Sequence, residues 1–386
     1  MRRSVITLKL LTYAPSGAVV AAPTASLPEE VGGVRNWDYR YCWLRDASLT
    51  LRAFDDLGFT IESEAFLSWI LHATRLTWPE LQVLYDVYGE ARIPESILDH
   101  LEGYARSAPV RVGNAAIDQL QLDTYGEVID AAWHYVQRGG RLDRTTARTL
   151  AGLGATVVRR WHEPDEGIWE PRSGRQHHTH SKAMCWIALD RLVSLCEQRH
   201  VSAEAAQFAR ERDAIRDAIE AHGYSARLGS YVSIFDAETV DASLLLLSLM
   251  GYADPQSPRM RGTLARVRER LGANGLLYRY LDEEDGLPGS EGAFGICSFW
   301  AVEALALQGE VAAARGEFEH VLSFGNDVGL FAEELDPGTG AAVGNFPQAF
   351  THVGLINAAV TLARLQGEGP ARAPVELSAV NRRGDV

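Results

Sequence analysis

The spacing of apolar residues constrains this chain more than any other feature. Twelve stretches carry them at the three- to four-residue interval of a helix buried on one side. They fall at about 3–13, 47–57, 63–76, 122–136, 145–161, 182–197, 202–222, 241–250, 258–271, 293–308, 310–323 and 347–365. In the fourth, Leu122, Tyr125, Ile129, Trp133 and Val136 share a face and Gly139 supplies a stop. In the seventh, Ser202 is the expected cap, Phe208, Ile215 and Ile219 share a face, and Gly223 ends the run. Only YVSIF and GLLYRYL have the two-residue alternation of strands. Long polar-aromatic loops follow the first, third, fifth and ninth helices, and another precedes the twelfth. In a ring of paired helices, alternate loops emerge at one end and share one mouth. The absence of a fixed repeat length argues against a solenoid. The expected fold is all-α, an (α/α)6 toroid over residues 1–366, with 367–386 as a loose, aperiodic tail.

Charge and composition narrow the function classes. A net charge of −14 over 386 residues lacks the clustered Lys and Arg that nucleic acid requires. No run reaches the roughly 18 apolar residues of a membrane span. Cys42, Cys185, Cys196 and Cys297 have neither CxxC nor zinc spacing and read as reduced core thiols. The opening MRRSVITLKLLTY has the paired arginines of an export signal, but Lys9 and then Pro15, Ser16 and Gly17 break its apolar run. Val5, Ile6, Leu8 and Leu11 make a helical stripe instead, so a buried first helix and a cytoplasmic location are expected.

Three segments carry candidate chemistry. GGVRNWDYRYCWLRD, residues 32–46, crowds aromatics, arginines and aspartates together. That mixture suits a wall that stacks on and hydrogen-bonds to a polar object with apolar faces, such as a sugar. In DEGIWEPR, Glu170 follows Trp169, and a carboxyl desolvated by an indole can serve as a proton donor. In GLFAEELDP, Glu333 and Glu334 are adjacent, so their side chains diverge and one at most is expected to face a cavity. Two carboxyls on opposite sides of a sugar, roughly 6.5–9.5 Å apart, are what an inverting glycosidase needs. His177, His178 and His180 lack acidic or cysteine partners at metal-ligand spacing. AGLGAT lacks the GxGxxG pattern, and no GxSxG elbow is present.

These motifs, in order, resemble the catalytic domain of glycoside hydrolase family 15, the glucoamylase and bacterial trehalase-like enzymes. The matching blocks are LKLLTYAPSGAVVAAPTASLPEE, GGVRNWDYRYCWLRDAS, VRVGNAAIDQLQLDTYGEV, DEGIWEPR, SKAMCWIALDR, DASLLLL, GLPGSEGAF with CSFW, and AEELDP with GNFPQAFTHVGLINAA. The resemblance implies a six-hairpin glycosidase barrel that needs no cofactor or metal and releases β-glucose, with inversion, from the non-reducing end of an α-glucoside. The substrate would be a small molecule such as trehalose or an oligosaccharide. The resemblance makes Glu170 the general acid and Glu333 the general base, a choice the residues alone leave open between Glu333 and Glu334. It assigns Tyr39, Trp43, Arg45 and Asp46 to a tight site for the terminal glucose, lined further by Trp169 and Arg279. Glu291, in the GSEGAF turn, is a further expected sugar contact. The leaving-group subsite is expected from residues 104–114 and 289–294.

The chain departs from the family pattern in three places. It starts at the first barrel helix, where relatives carry an N-terminal β-sandwich. A separate sandwich partner or self-association would cover the surface this leaves bare. The alternative is a non-catalytic barrel kept as a carbohydrate-binding or partner-binding module. His178 and His180 stand where the family often has aromatics. Pro171 follows the expected acid, where fungal members carry a second acidic residue.

Overall fold

The computed structural model describes residues 1–281 and 286–367; the expected tail, apart from its first residue, lies outside the described residues. Twelve α-helices form among them: α1 (Arg2–Leu11), α2 (Ala47–Asp56), α3 (Thr60–Thr77), α4 (Asp123–Gln137), α5 (Arg144–Arg160), α6 (Thr179–Glu197), α7 (Ala205–His222), α8 (Leu246–Leu249), α9 (Pro258–Leu271), α10 (Gly295–Leu307), α11 (Val311–Leu322) and α12 (Ala349–Leu365). Local chemistry sets several starts. Asp143 accepts a 2.6 Å hydrogen bond from the Thr146 amide at the head of α5. Ser257 caps α9, with Pro258 in the first turn where its missing N–H costs nothing. The cap of α7 is Glu204 rather than Ser202. In α1 the buried face is Ser4, Thr7, Leu8 and Leu11, while Ile6 turns outward.

The even-numbered and odd-numbered helices differ in the way a double ring requires. α4, α6, α10 and α12 are buried nearly all round, and every residue of α8 is buried. α1, α7, α9 and α11 bury one stripe each. A helix apolar on every side belongs inside a large core, and one with a single stripe belongs on its outside. The inner helices touch in sequence, α2 on α4, α4 on α6, α6 on α8, α8 on α10 and α10 on α12, and α12 packs back on α2. That last contact closes the ring. Gly126 permits the close α4–α6 approach, since a Cβ there would lie 2.5 Å from the Met184 carbonyl oxygen.

The loops divide with the helices. Those after even helices are short turns, such as 57–59 and 308–310, whereas those after odd helices run through 12–46, 78–122, 161–178, 223–241, 272–294 and 323–348. All the small antiparallel ladders lie in the odd set. Of YVSIF only Tyr231 is in a strand, Ser230–Tyr231, and GLLYRYL shrinks to Leu276–Leu277. The long loop after α7 is the one absent from the sequence expectation. The rim has a core of its own: Ala21, Ala22, Tyr39, Trp43, Val83, Leu84 and Ile117 form an apolar cluster separate from the main one. Backbone bonds sew the loops together, Leu44 to Val83, Gly344 to Pro28 and Ala349 to Ala21.

Candidate active site

Every expected site residue lies in an odd-numbered loop or at its junction with the next helix. Tyr39, Trp43, Arg45 and Asp46 come from the loop after α1, Trp169 and Glu170 from that after α5, Arg279 and Glu291 from that after α9, and Glu333 from that after α11. A cavity of about 270 Å³ opens among these loops, lined by Trp37, Tyr39, Trp169, Glu170, Arg279 and Tyr280 together with Asn114, Gln119, Pro171, Arg172 and Leu287. Its floor, Tyr39, Trp169 and Arg279, is buried, and its edge is increasingly exposed.

Glu170 is held by an unusual backbone. Its φ of +60° is the left-handed conformation, which costs a non-glycine residue on the order of 1–2 kcal/mol. The twist delivers its carboxyl to Trp43 and Arg45: the Trp43 indole N–H donates to Oε1 at 2.7 Å and an Arg45 guanidinium N–H at 3.1 Å. Oε2 has no such donor among the described residues. Arg45 is locked in turn by Asp46 (2.9 Å) and the Ile168 carbonyl (3.0 Å), and its guanidinium lies over the Phe350 ring. Burial raises the Asp46 carboxyl above its usual range, and the Arg45 charge opposes this. The indole at Glu170 is therefore Trp43, from a distant loop. Trp169, its neighbour in sequence, turns away and donates to Asp241 Oδ2 at 3.0 Å, packing against Phe294 and Trp300.

Glu333 and Glu334 are both fully buried and diverge as adjacent side chains should. Glu334 accepts from the Gly292 amide at 2.8 Å and meets Glu29 and Glu291. Glu333 accepts from the Asn345 amide at 3.2 Å through Oε2, while Oε1 has no well-directed partner. Gly344 gives it room, since a Cβ there would sit 2.6 Å from Oε2. Burial pushes the Glu333 carboxyl up to about 7, held back by the Tyr39 phenol and the Arg279 charge. Tyr39 is within electrostatic reach of both Glu333 and Glu170, and its ring meets Trp43 edge to face at 5.2 Å.

Arg279 lines the cavity, but Glu291 stands behind it, outside that lining. Glu291 takes Arg279 Nε at 2.9 and 3.1 Å and the Arg35 guanidinium at 3.3 Å. Its carboxylate is met by two arginines and sets the direction of Arg279. Segments 104–113 and 289–294, expected at the leaving-group side, are also outside this lining; Asn114 alone of those residues is in it. Sequence reasoning passed over Trp37, Glu29, Arg172 and Asp241. Asp241 sat in a quoted motif, DASLLLL, and a lone aspartate at a helix entry reads as a cap until its indole partner is seen.

A family model described as glycosyl hydrolases family 15 matches residues 1–360. The chain belongs to this family. The trehalase of Mycobacterium tuberculosis is 41% identical over 387 residues, an alignment covering 97% of this chain and 57% of the relative. The chain thus spans rather more than half the length of the curated trehalases it matches. Among solved structures, a wild-type glycosidase, 20% identical, superposes with a TM-score of 0.73 over 96% of both chains. A bacterial glucoamylase complexed with acarbose, 16% identical, gives 0.73 over 95% of this chain and 55% of its own. These likenesses establish the (α/α)6 barrel. No helix of the described residues is long and apolar enough to cross a membrane.

Proposed function

We propose that this family 15 barrel, residues 1–366, hydrolyses an α-glucoside from its non-reducing end with inversion, releasing β-glucose, and that trehalose is its preferred substrate. The observation that carries the reading is the pair of differently housed carboxyls, Glu170 lining the cavity and Glu333 buried behind that lining, both within electrostatic reach of Tyr39. Glu170 donates a proton from its open Oε2 to the glycosidic oxygen. Glu333 takes a proton from the attacking water, through a carboxyl whose Oε1 has no well-directed partner among the described residues. Arg45, Asp46 and Arg279 bind the hydroxyls of the terminal glucose as forked donors and an acceptor, and Tyr39 and Trp43 face its C–H surface. Trehalose is favoured because the curated relatives at 41% and 42% identity are trehalases.

The test is purified protein given trehalose, maltose, isomaltose and soluble starch, with glucose followed by an anomer-sensitive method. β-Glucose first, fastest from trehalose, is expected. α-Glucose first would sink inversion. No release from any of the four by folded protein would leave the carbohydrate- or partner-binding module as the better account.

A further inference from the structure

The edge of the cavity beyond Glu170 contains an arrangement that the hydrolytic pair does not use. Trp37 lies beneath two guanidinium groups, Arg111 at 4.6 Å and Arg172 at 5.0 Å from its ring centre. Its indole N–H is fixed by Glu29 at 2.8 Å. Arg111 is part of the wall, since it donates to the carbonyls of Val34 (2.8 Å) and Asn36 (3.0 Å). Arg172 is different. Its side chain is 43% exposed, and its one acidic neighbour is Glu95 at 3.7 Å. Glu95 is already shared with Arg111 at 3.5 Å and the Ala115 amide at 3.3 Å. Among the described residues Arg172 makes no hydrogen bond of its own. A guanidinium held over an indole keeps its N–H groups at the rim of the ring, and here the 3.7 Å approach to Glu95 is the one ion pair they make among the described residues.

The position of that fork follows from the chain. Arg172 is two residues past Glu170, and the Gln119 amide ties the intervening backbone by donating to the Glu170 carbonyl at 3.3 Å. Both residues line the same cavity, Glu170 toward the buried floor and Arg172 at the exposed edge. With a terminal glucose on the floor and its glycosidic oxygen at Glu170, the next group out lies against Trp37 and Arg172. We propose that Arg172, carried on Trp37, is a specificity-determining residue that hydrogen-bonds vicinal hydroxyls of the leaving sugar. This rests on the hydrolase reading above. A planar fork suits two adjacent hydroxyls, and a site built to bond them discriminates strongly against a leaving group that has none.

The test compares trehalose with α-glucosyl fluoride, whose leaving group carries no hydroxyl, for wild type and Arg172→Ala. The exposed side chain makes folding of the variant a mild demand, checked by its thermal midpoint. The expected result is a fall in kcat/KM for trehalose of about 10- to 100-fold, with that for the fluoride changed by less than about threefold. Equal losses on both substrates, or a loss on neither, would overturn the assignment while leaving the hydrolase intact. A wild-type protein that releases glucose from neither compound would overturn the hydrolase reading, and this assignment with it.

Discussion

Replacing Tyr39 by phenylalanine removes one oxygen from the neighbourhood of Glu333 and keeps the ring that packs on Trp43. In the proposed reaction Glu333 must be ionised to accept a proton, yet burial pushes it up to about 7, against an ordinary 4.5, and the Tyr39 phenol is one of the groups that oppose this rise. A hydrogen bond to a charged group is worth about 1.5–3 kcal/mol, and one pH unit corresponds to about 1.4 kcal/mol. Losing the phenol should therefore carry the carboxyl upward by about one to two pH units. In the free enzyme this is read from kcat/KM against pH, measured on trehalose from pH 4 to 9. Wild type should lose activity as pH falls below about 7, and Tyr39→Phe should lose it from a higher pH. An acid limb that stays put would show that the phenol does not hold the charge. A wild-type limb in the ordinary carboxylate range would remove Glu333 as the titrating base.

Other outcomes test the same geometry. Glu170→Gln and Glu333→Gln should each reduce kcat by about 10²-fold or more, while Glu334→Gln does far less because its carboxyl is turned toward Gly292 and the Glu29–Glu291 cluster; equal losses at 333 and 334 would undo the choice between them. Stability follows the same carboxyl with a definite sign. A folded-state pKa above the unfolded one favours folding below pH 4.5, an advantage lost as pH rises through about 7. Glu333→Gln should gain stability relative to wild type over that window in urea titrations, and a difference independent of pH would contradict the raised value. Asp241→Ala leaves the buried Trp169 N–H without its acceptor and should cost about 1–3 kcal/mol. An unchanged denaturation midpoint would mean that the indole finds another partner.

Much of the barrel was legible because helices announce themselves by period, and the inner ring by apolar residues on every side. What the period did not show was where a helix gives way to a tighter turn, as at 242–245 before α8. The site was legible in part for a different reason. Motif blocks pick out residues that the fold brings to one cavity, such as Glu170 and Arg279, but not contacts made across loops. Trp169 was read as the indole beside Glu170 because it is adjacent in sequence; the left-handed backbone at Glu170 sends the carboxyl to Trp43 instead. Glu333 and Glu334 look alike in a polar segment, yet both are buried, Glu334 in a strand paired with Ala293–Phe294 and Glu333 against Asn345. Glu291 lies in the turn that the motif marks, and the contacts it makes there, to Arg279 and Arg35, come from other parts of the rim and leave no trace in the turn itself.

The separate apolar core beneath the rim, with the loops after α1, α3 and α11 bonded to one another, bears on how this side of the mouth would acquire a ligand. Loops tied down in this way have little entropy left to lose when a ligand arrives, so contact energy is not diverted into ordering them. That side of the cavity meets its guest as a cast meets a key. Exchange should then be paced by entry and exit rather than by a closing step. Changes in what the mouth accepts should arise from single side chains on its wall, without retuning any motion.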